Sequence, residues 1–263
     1  ACAWRSNILS WSDDSEMEVE NPFSRSPDVE NEMLCMTVCP PHIIALGTDA
    51  SRVRLYNFNS NTFAGDILLQ DIASKENGGV QLRSPTPERR SSRSKKRPKA
   101  SSSSTFVEKL EYVPGSCGNL LVAACGDGTL RFLSIRHMKE IGFIHASFRR
   151  FNPMSALCAP PSQQGMLLSG DSLGYVMIWD ISGIPHTCSV LEPYMVQCKY
   201  HFRAHESAVT SVAFDDIHRM IVTGSDDCTA RLFTLSGTHI AVMGSLPYRL
   251  TAPKSFHRKN IPA

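Results

Sequence analysis

Residues 204–244 read AHESAVTSVAFDDIHRMIVTGSDDCTARLFTLSGTHIAVMG. Three short apolar runs stand in this stretch, Ala208–Phe214, Met220–Thr223 and Thr229–Leu235, and a weaker fourth runs from Thr238 to Met243. Within them apolar and polar side chains tend to alternate, which sends successive side chains to opposite faces of an extended chain. Asp, Gly and Ser separate the runs. Runs of this length and period, bounded by turn residues, predict consecutive antiparallel strands.

The same unit recurs upstream. One copy has Met154–Ala159, Met166–Gly170 and Tyr175–Asp180 as its runs, and Val190–Leu191 or Met195–Val196 as its outer strand. Another has Val107–Val113, Asn119–Ala124 and Thr129–Leu133, with Gly126-Asp127-Gly128 at the turn. A third has Met33–Val38, Ile43–Gly47 and Val53–Asn57, with an outer strand near Thr62–Ile72. A partial unit opens the chain at Ala1–Trp4 and Ile8–Ser12. The residues next to the central turns are Arg5, Ala50, Asp127, Leu173 and Asp227, at intervals of 45, 77, 46 and 54 residues. The expected organisation is a partial unit over 1–32 and complete units over 33–72, 105–146, 149–192 and 203–245, with a tail over 246–263. Among 263 residues, 42% are hydrophobic, enough for one core-bearing domain of all-β architecture.

Particular residues resemble the WD-repeat family, whose signature is Gly-His before the first strand, Asp in the tight turn and Trp-Asp closing the third strand. Here Ala204-His205 stands for Gly-His, Asp227 sits at the turn and Phe233-Thr234 stands for Trp-Asp; Trp179-Asp180 is a full Trp-Asp pair, and Trp11 takes the Trp position of the partial unit. The resemblance implies a β-propeller, each unit being one blade. Propellers close with about 4–8 blades, so four complete blades and a fragment read as the C-terminal part of a larger propeller. In such blades a His, a Ser or Thr, the turn Asp and the Trp indole form a hydrogen-bonded chain that satisfies buried polar groups. Carried over, that chain is His205, Thr223 and Asp227 in the last blade, where Phe233 lacks the N–H. It is Ser169 and Trp179 in the blade before, with Leu173 at the Asp position. Asp127 stands with Ala123 and Leu133 in the blade before that. Leu46, Ala50 and Tyr56 take these places in the first complete blade, with Asp49 near enough to substitute. His205 and Asp227 imitate a catalytic dyad, but a histidine fixed in such a chain leaves no open face for substrate.

Two stretches are also similar to long ciliary WD-repeat proteins: residues 30–48, with Leu34-Cys35 and Cys39-Pro40-Pro41, and residues 234–244, with Gly237, Ile240 and Gly244. This resemblance implies an axonemal, microtubule-associated setting and protein partners there, tubulin-associated ones included. The expected location is cytoplasm, cytoskeleton and ciliary axoneme.

The interval of 77 has its own cause. Residues 73–104 hold a run from Arg83 to Ser104 with eight basic residues, one acidic one and no aliphatic residue larger than Ala. Such a run has no apolar area to offset chain entropy, so it is expected to be a disordered insertion on one rim. The whole chain is +2 and this run is +7, leaving −5 for the remainder. Arg89, Arg90, Arg93, Lys95, Lys96, Arg97 and Lys99 are candidate contacts for an acidic surface such as tubulin tails. Lys95–Lys99 also resembles a nuclear-import cluster, and the alternative is a nuclear or cytoplasmic adaptor whose basic run drives import or contacts nucleic-acid phosphates. No aromatic residue interleaves the run, which argues against base stacking, and nucleic acid is not the expected partner. Ser84 and Thr86 precede prolines and suit proline-directed kinases; Ser91 and Ser92 follow an Arg pair and suit basophilic ones. Each phosphate would remove about 1.5–2 charges from the positive total.

No other chemistry is legible. Nine cysteines include no Cys-x-x-Cys pair; Cys35, Cys39, Cys125, Cys158 and Cys228 fall in strand patterns and read as small reduced hydrophobes. The Gly-rich turns lead into strands and lack the helix N-terminus that holds an anion. No nucleophile elbow, phosphate loop or paired carboxylates stand at catalytic spacing. No apolar run approaches the ~18 residues of a membrane span. The expectation is therefore no enzyme activity, metal, cofactor, small-molecule substrate or membrane insertion.

Overall fold

The computed structural model describes residues 32–70, 105–115, 120–147, 152–185 and 187–243. Sixteen strands occupy them in four antiparallel sheets of four. The first sheet is β1 (Met33–Cys39), β2 (Ile43–Thr48), β3 (Arg52–Asn57) and β4 (Thr62–Leu68). The second is β5 (Val107–Tyr112), β6 (Leu120–Cys125), β7 (Thr129–Ser134) and β8 (Lys139–His145). The third is β9 (Met154–Cys158), β10 (Met166–Asp171), β11 (Tyr175–Asp180) and β12 (Gln197–Arg203). The fourth is β13 (Val209–Asp215), β14 (Met220–Ser225), β15 (Ala230–Thr234) and β16 (His239–Met243). Every sheet is an up-and-down meander in sequence order, and β1, β5, β9 and β13 pack against one another in succession. The architecture is all-β, that of a propeller segment with four complete blades.

The sheets stack face to face, and in the second and third sheets the two-residue period divides each middle strand between two cores. On β10, Leu167 enters the core shared with the second sheet and Leu168 the core shared with the fourth; both are wholly buried. On β6, Leu121, Ala123 and Cys125 join the core with the first sheet, and Val122 and Ala124 the core with the third. This double burial explains the unbroken apolar run of β6 and the burial of all six residues of β7. On β1 the alternation is plain instead: Cys35 and Cys39 face the second sheet, while Met36 and Val38 on the other face are 71% and 57% exposed.

Three expectations need correction. The outer strand of the third sheet lies neither at Val190–Leu191 nor at Met195–Val196 but at Gln197–Arg203, so this blade extends past residue 192 to Arg203 and the next begins after it. Leu191, Met195 and Val196 are instead buried loop residues that fill the core between the second and third sheets. The Leu191 N–H donates to the Ile141 carbonyl at 2.8 Å, and Pro193–Met195 form a single 3-10 turn. Cys228 is not in a strand; it holds the left-handed position of the β14–β15 turn, with φ of 62°. Asp49 does not take up the turn role in the first sheet. Thr48 does, its hydroxyl donating to the Arg52 carbonyl and accepting from the Ala50 N–H. The partial blade of residues 1–32, with Trp11, the insertion 73–104 and the tail 246–263 lie outside the described residues, except Glu32.

Candidate functional site

The fourth sheet assembles a connected polar group around His205. The turn after β14 brings Asp227 beneath the segment that enters β13. His205, 1% exposed, reaches Asp227 Oδ2 through Nδ1 at 2.9 Å and Thr223 Oγ1 through Nε2 at 2.7 Å. Burial pushes the Asp227 carboxyl up, but the Thr229 hydroxyl, the His205 ring and the Thr229 amide outweigh it and leave it lowered to about 2. An ionised carboxylate only accepts hydrogen bonds, so Nδ1 carries the ring proton. Burial lowers the His205 pKa despite Asp227, so the ring is neutral and Nε2 accepts from the Thr223 hydroxyl. The histidine is thus a donor at one nitrogen and an acceptor at the other. Arg231 closes the group: Nη2 lies 3.3 Å from Asp227 Oδ2, and Nη1 donates to the Ala204 carbonyl at 2.8 Å. Phe233 offers no N–H and packs instead against Phe202, ring centroids 4.9 Å apart.

The same positions in the other sheets are filled differently. In the second sheet Asp127 pairs with Arg131 Nη2 at 2.9 Å, and the wholly buried Arg131 also reaches Glu140 Oε2 at 3.2 Å. In the third sheet Leu173 and Met177 stand where the second has Asp127 and Arg131; the acid and the base are lost together. There the buried Asp171, two residues earlier, accepts the Leu173 and Tyr175 N–H groups at 2.9 Å each, and the Trp179 indole donates to Ser169 Oγ at 2.8 Å. The first sheet keeps the arginine alone: Arg54, 8% exposed, is 3.6 Å from Asp66 on β4. Residues 196–234 match the family model of the WD domain, G-beta repeat.

Residues 196–234 are a WD repeat. The matched stretch begins just before β12 and ends with β15, so the WD repeat takes the outer strand of one sheet with the three inner strands of the next. A search of curated proteins gives no match to the chain. Within the WD repeat, His205, Thr223 and Asp227 come together as one group, whereas Ser169 with Trp179 and Asp127 with Arg131 form separate groups in the preceding sheets. Arg131, Arg231, Glu140 and Asp171 were missed by sequence reasoning. For the two arginines the signal was present in the recurrence of Arg four residues after the turn position, at 54, 131 and 231.

The WD repeat and its neighbouring sheets offer no assembled metal centre: among the described residues no three His, Cys, Asp or Glu groups converge. The seven described cysteines are unpaired thiols. Burial pushes Cys35 and Cys39 up to about 12, so neither thiol is a ready nucleophile. Trp11, the basic residues Arg89, Arg90, Arg93, Lys95, Lys96, Arg97 and Lys99, and the phosphorylation candidates Ser84, Thr86, Ser91 and Ser92 lie outside the described residues.

Proposed function

We propose that the chain is a non-catalytic scaffold that binds other proteins through the faces and rims of its stacked sheets. The observation that carries this reading is the occupancy of His205. Both ring nitrogens are bonded within the sheet and the ring is buried, so the His205–Asp227 pair has neither a free lone pair nor room for a substrate. WD repeats mediate protein–protein contact as a rule, which supports the same conclusion.

The finer reading is an axonemal scaffold. It is supported by the likeness of residues 30–48 and 234–244 to ciliary WD-repeat proteins and by a basic run suited to acidic tubulin tails. Detergent extraction of isolated cilia tests it: the protein should stay with the axonemal pellet. Recovery in the soluble or nuclear fraction, with relocation on changing Lys95, Lys96, Arg97 and Lys99 to Ala, would instead favour the adaptor with an import signal.

A further inference from the structure

Gln70 and Thr105 are separated by 34 residues in sequence, yet one buried cluster holds both. Arg131 Nη1 donates to the Gln70 carbonyl at 2.6 Å, and the Gln70 N–H donates to Glu140 Oε2 at 2.9 Å. Both polar groups of the Gln70 main chain are therefore engaged by the Arg131–Glu140 pair. On the other side the Thr105 hydroxyl donates to Asp127 Oδ2 at 3.2 Å and lies 3.5 Å from Arg131 Nη2. Arg131 is wholly buried, Glu140 7% exposed and Thr105 6% exposed.

The fourth sheet shows what this arrangement replaces. There Arg231 Nη1 takes the Ala204 carbonyl and His205 takes Asp227 Oδ2, with one peptide bond joining Ala204 to His205. In the second sheet Gln70 does what Ala204 does and Thr105 does what His205 does. The two are no longer chain neighbours. We infer that the Asp127–Arg131–Glu140 cluster is a clasp that takes the place of that peptide bond. It fixes the two ends of the 71–104 segment at one guanidinium, so the segment can be lengthened, modified or cut without releasing either end.

The clasp is strong because both ends make charge-assisted bonds out of water. The third sheet supplies the control. Its Leu173–Met177 pair shows that an apolar couple fits the same two positions, and buried ion pairs exchanged whole for apolar residues are often tolerated. The test uses the full chain with a single sequence-specific protease site placed at residues 88–94. After cutting, the two pieces should co-elute in gel filtration, and exchange of the Gln70 amide should accelerate less than about tenfold. In Asp127→Leu/Arg131→Met/Glu140→Leu, cutting should accelerate it about ten- to a hundredfold, the worth of one or two bonds to charged groups. Thr105→Val, which weakens one end only, should leave the Gln70 amide protected but, after cutting, accelerate exchange of the Gly126 amide, which donates to the Phe106 carbonyl at 3.0 Å. Free exchange at Gln70 in the cut wild-type chain, or equal acceleration in wild type and triple variant, overturns the clasp. Should the triple variant not fold, the wild-type and Thr105→Val arms decide it.

Discussion

His205 is neutral because burial disfavours its charged form, and acidification works against the fold at this residue. Its pKa lies below the ordinary 6.5 in the folded chain, so on acidification the unfolded chain takes up the proton first. Stability is constant above that value and is lost progressively as pH falls below it. Asp227 adds a second loss in a lower window, between the ordinary 3.8 and about 2, as its bonded carboxylate protonates. Urea unfolding between pH 7.5 and 5 should show the first slope, and His205→Gln should flatten it. Thr223→Val should cost about 1–3 kcal/mol, because it leaves the buried Nε2 lone pair of His205 without a donor. At Arg131 the single change to Met should cost about 3–5 kcal/mol, since two carboxylates lose their cation. Adding Asp127→Leu should restore part of that loss, a coupling read from a double-mutant cycle.

At the scale of elements, the hairpins and joints carry the strain. Gly174, at φ of 86° in the β10–β11 turn, accepts the Ala204 and His205 N–H groups through its carbonyl. A Cβ there would collide with the His205 main chain. Gly174→Ala should therefore cost at least 1–3 kcal/mol, roughly, by strained backbone and a disturbed joint, read from its unfolding midpoint. Leu191→Ala should cost about 2–5 kcal/mol by opening a cavity between the second and third sheets.

Most elements were legible in the sequence for one reason: a strand buried on one or both faces writes its burial into its side chains. Gln197–Arg203 did not, because six of its seven residues are exposed and the strand is held by main-chain bonds to β11. Leu191 and Met195 misled in the opposite direction, being apolar for the sake of a loop that plugs a core. At the candidate site His205, Thr223 and Asp227 were legible through the family signature. Glu140 and Asp171 were not, because residue type alone does not distinguish a buried ion from a solvated one.

Across the whole molecule, charge is set by one segment. The run from Arg83 to Ser104 carries +7 of a chain that totals +2. A variant with this run replaced by a short Gly-Ser linker should switch from cation- to anion-exchange retention near pH 7. It should keep its stability to within about 1 kcal/mol, because loop-closure entropy changes slowly with length. A fall of several kcal/mol would mean that the segment packs on the sheets.

The WD repeat of residues 196–234 is out of step with the sheets it builds, since its first strand finishes one blade and its next three begin another. The third and fourth blades are thereby sewn together by an overlapping stitch, and the seam between them does not coincide with either boundary of the motif. A fragment trimmed to the motif would carry Gln197–Arg203 torn from its sheet and would lack His239–Met243, leaving raw edges at both ends. Excision meant to remove one blade cleanly must follow the weave, entering after Arg203 and leaving after Met243.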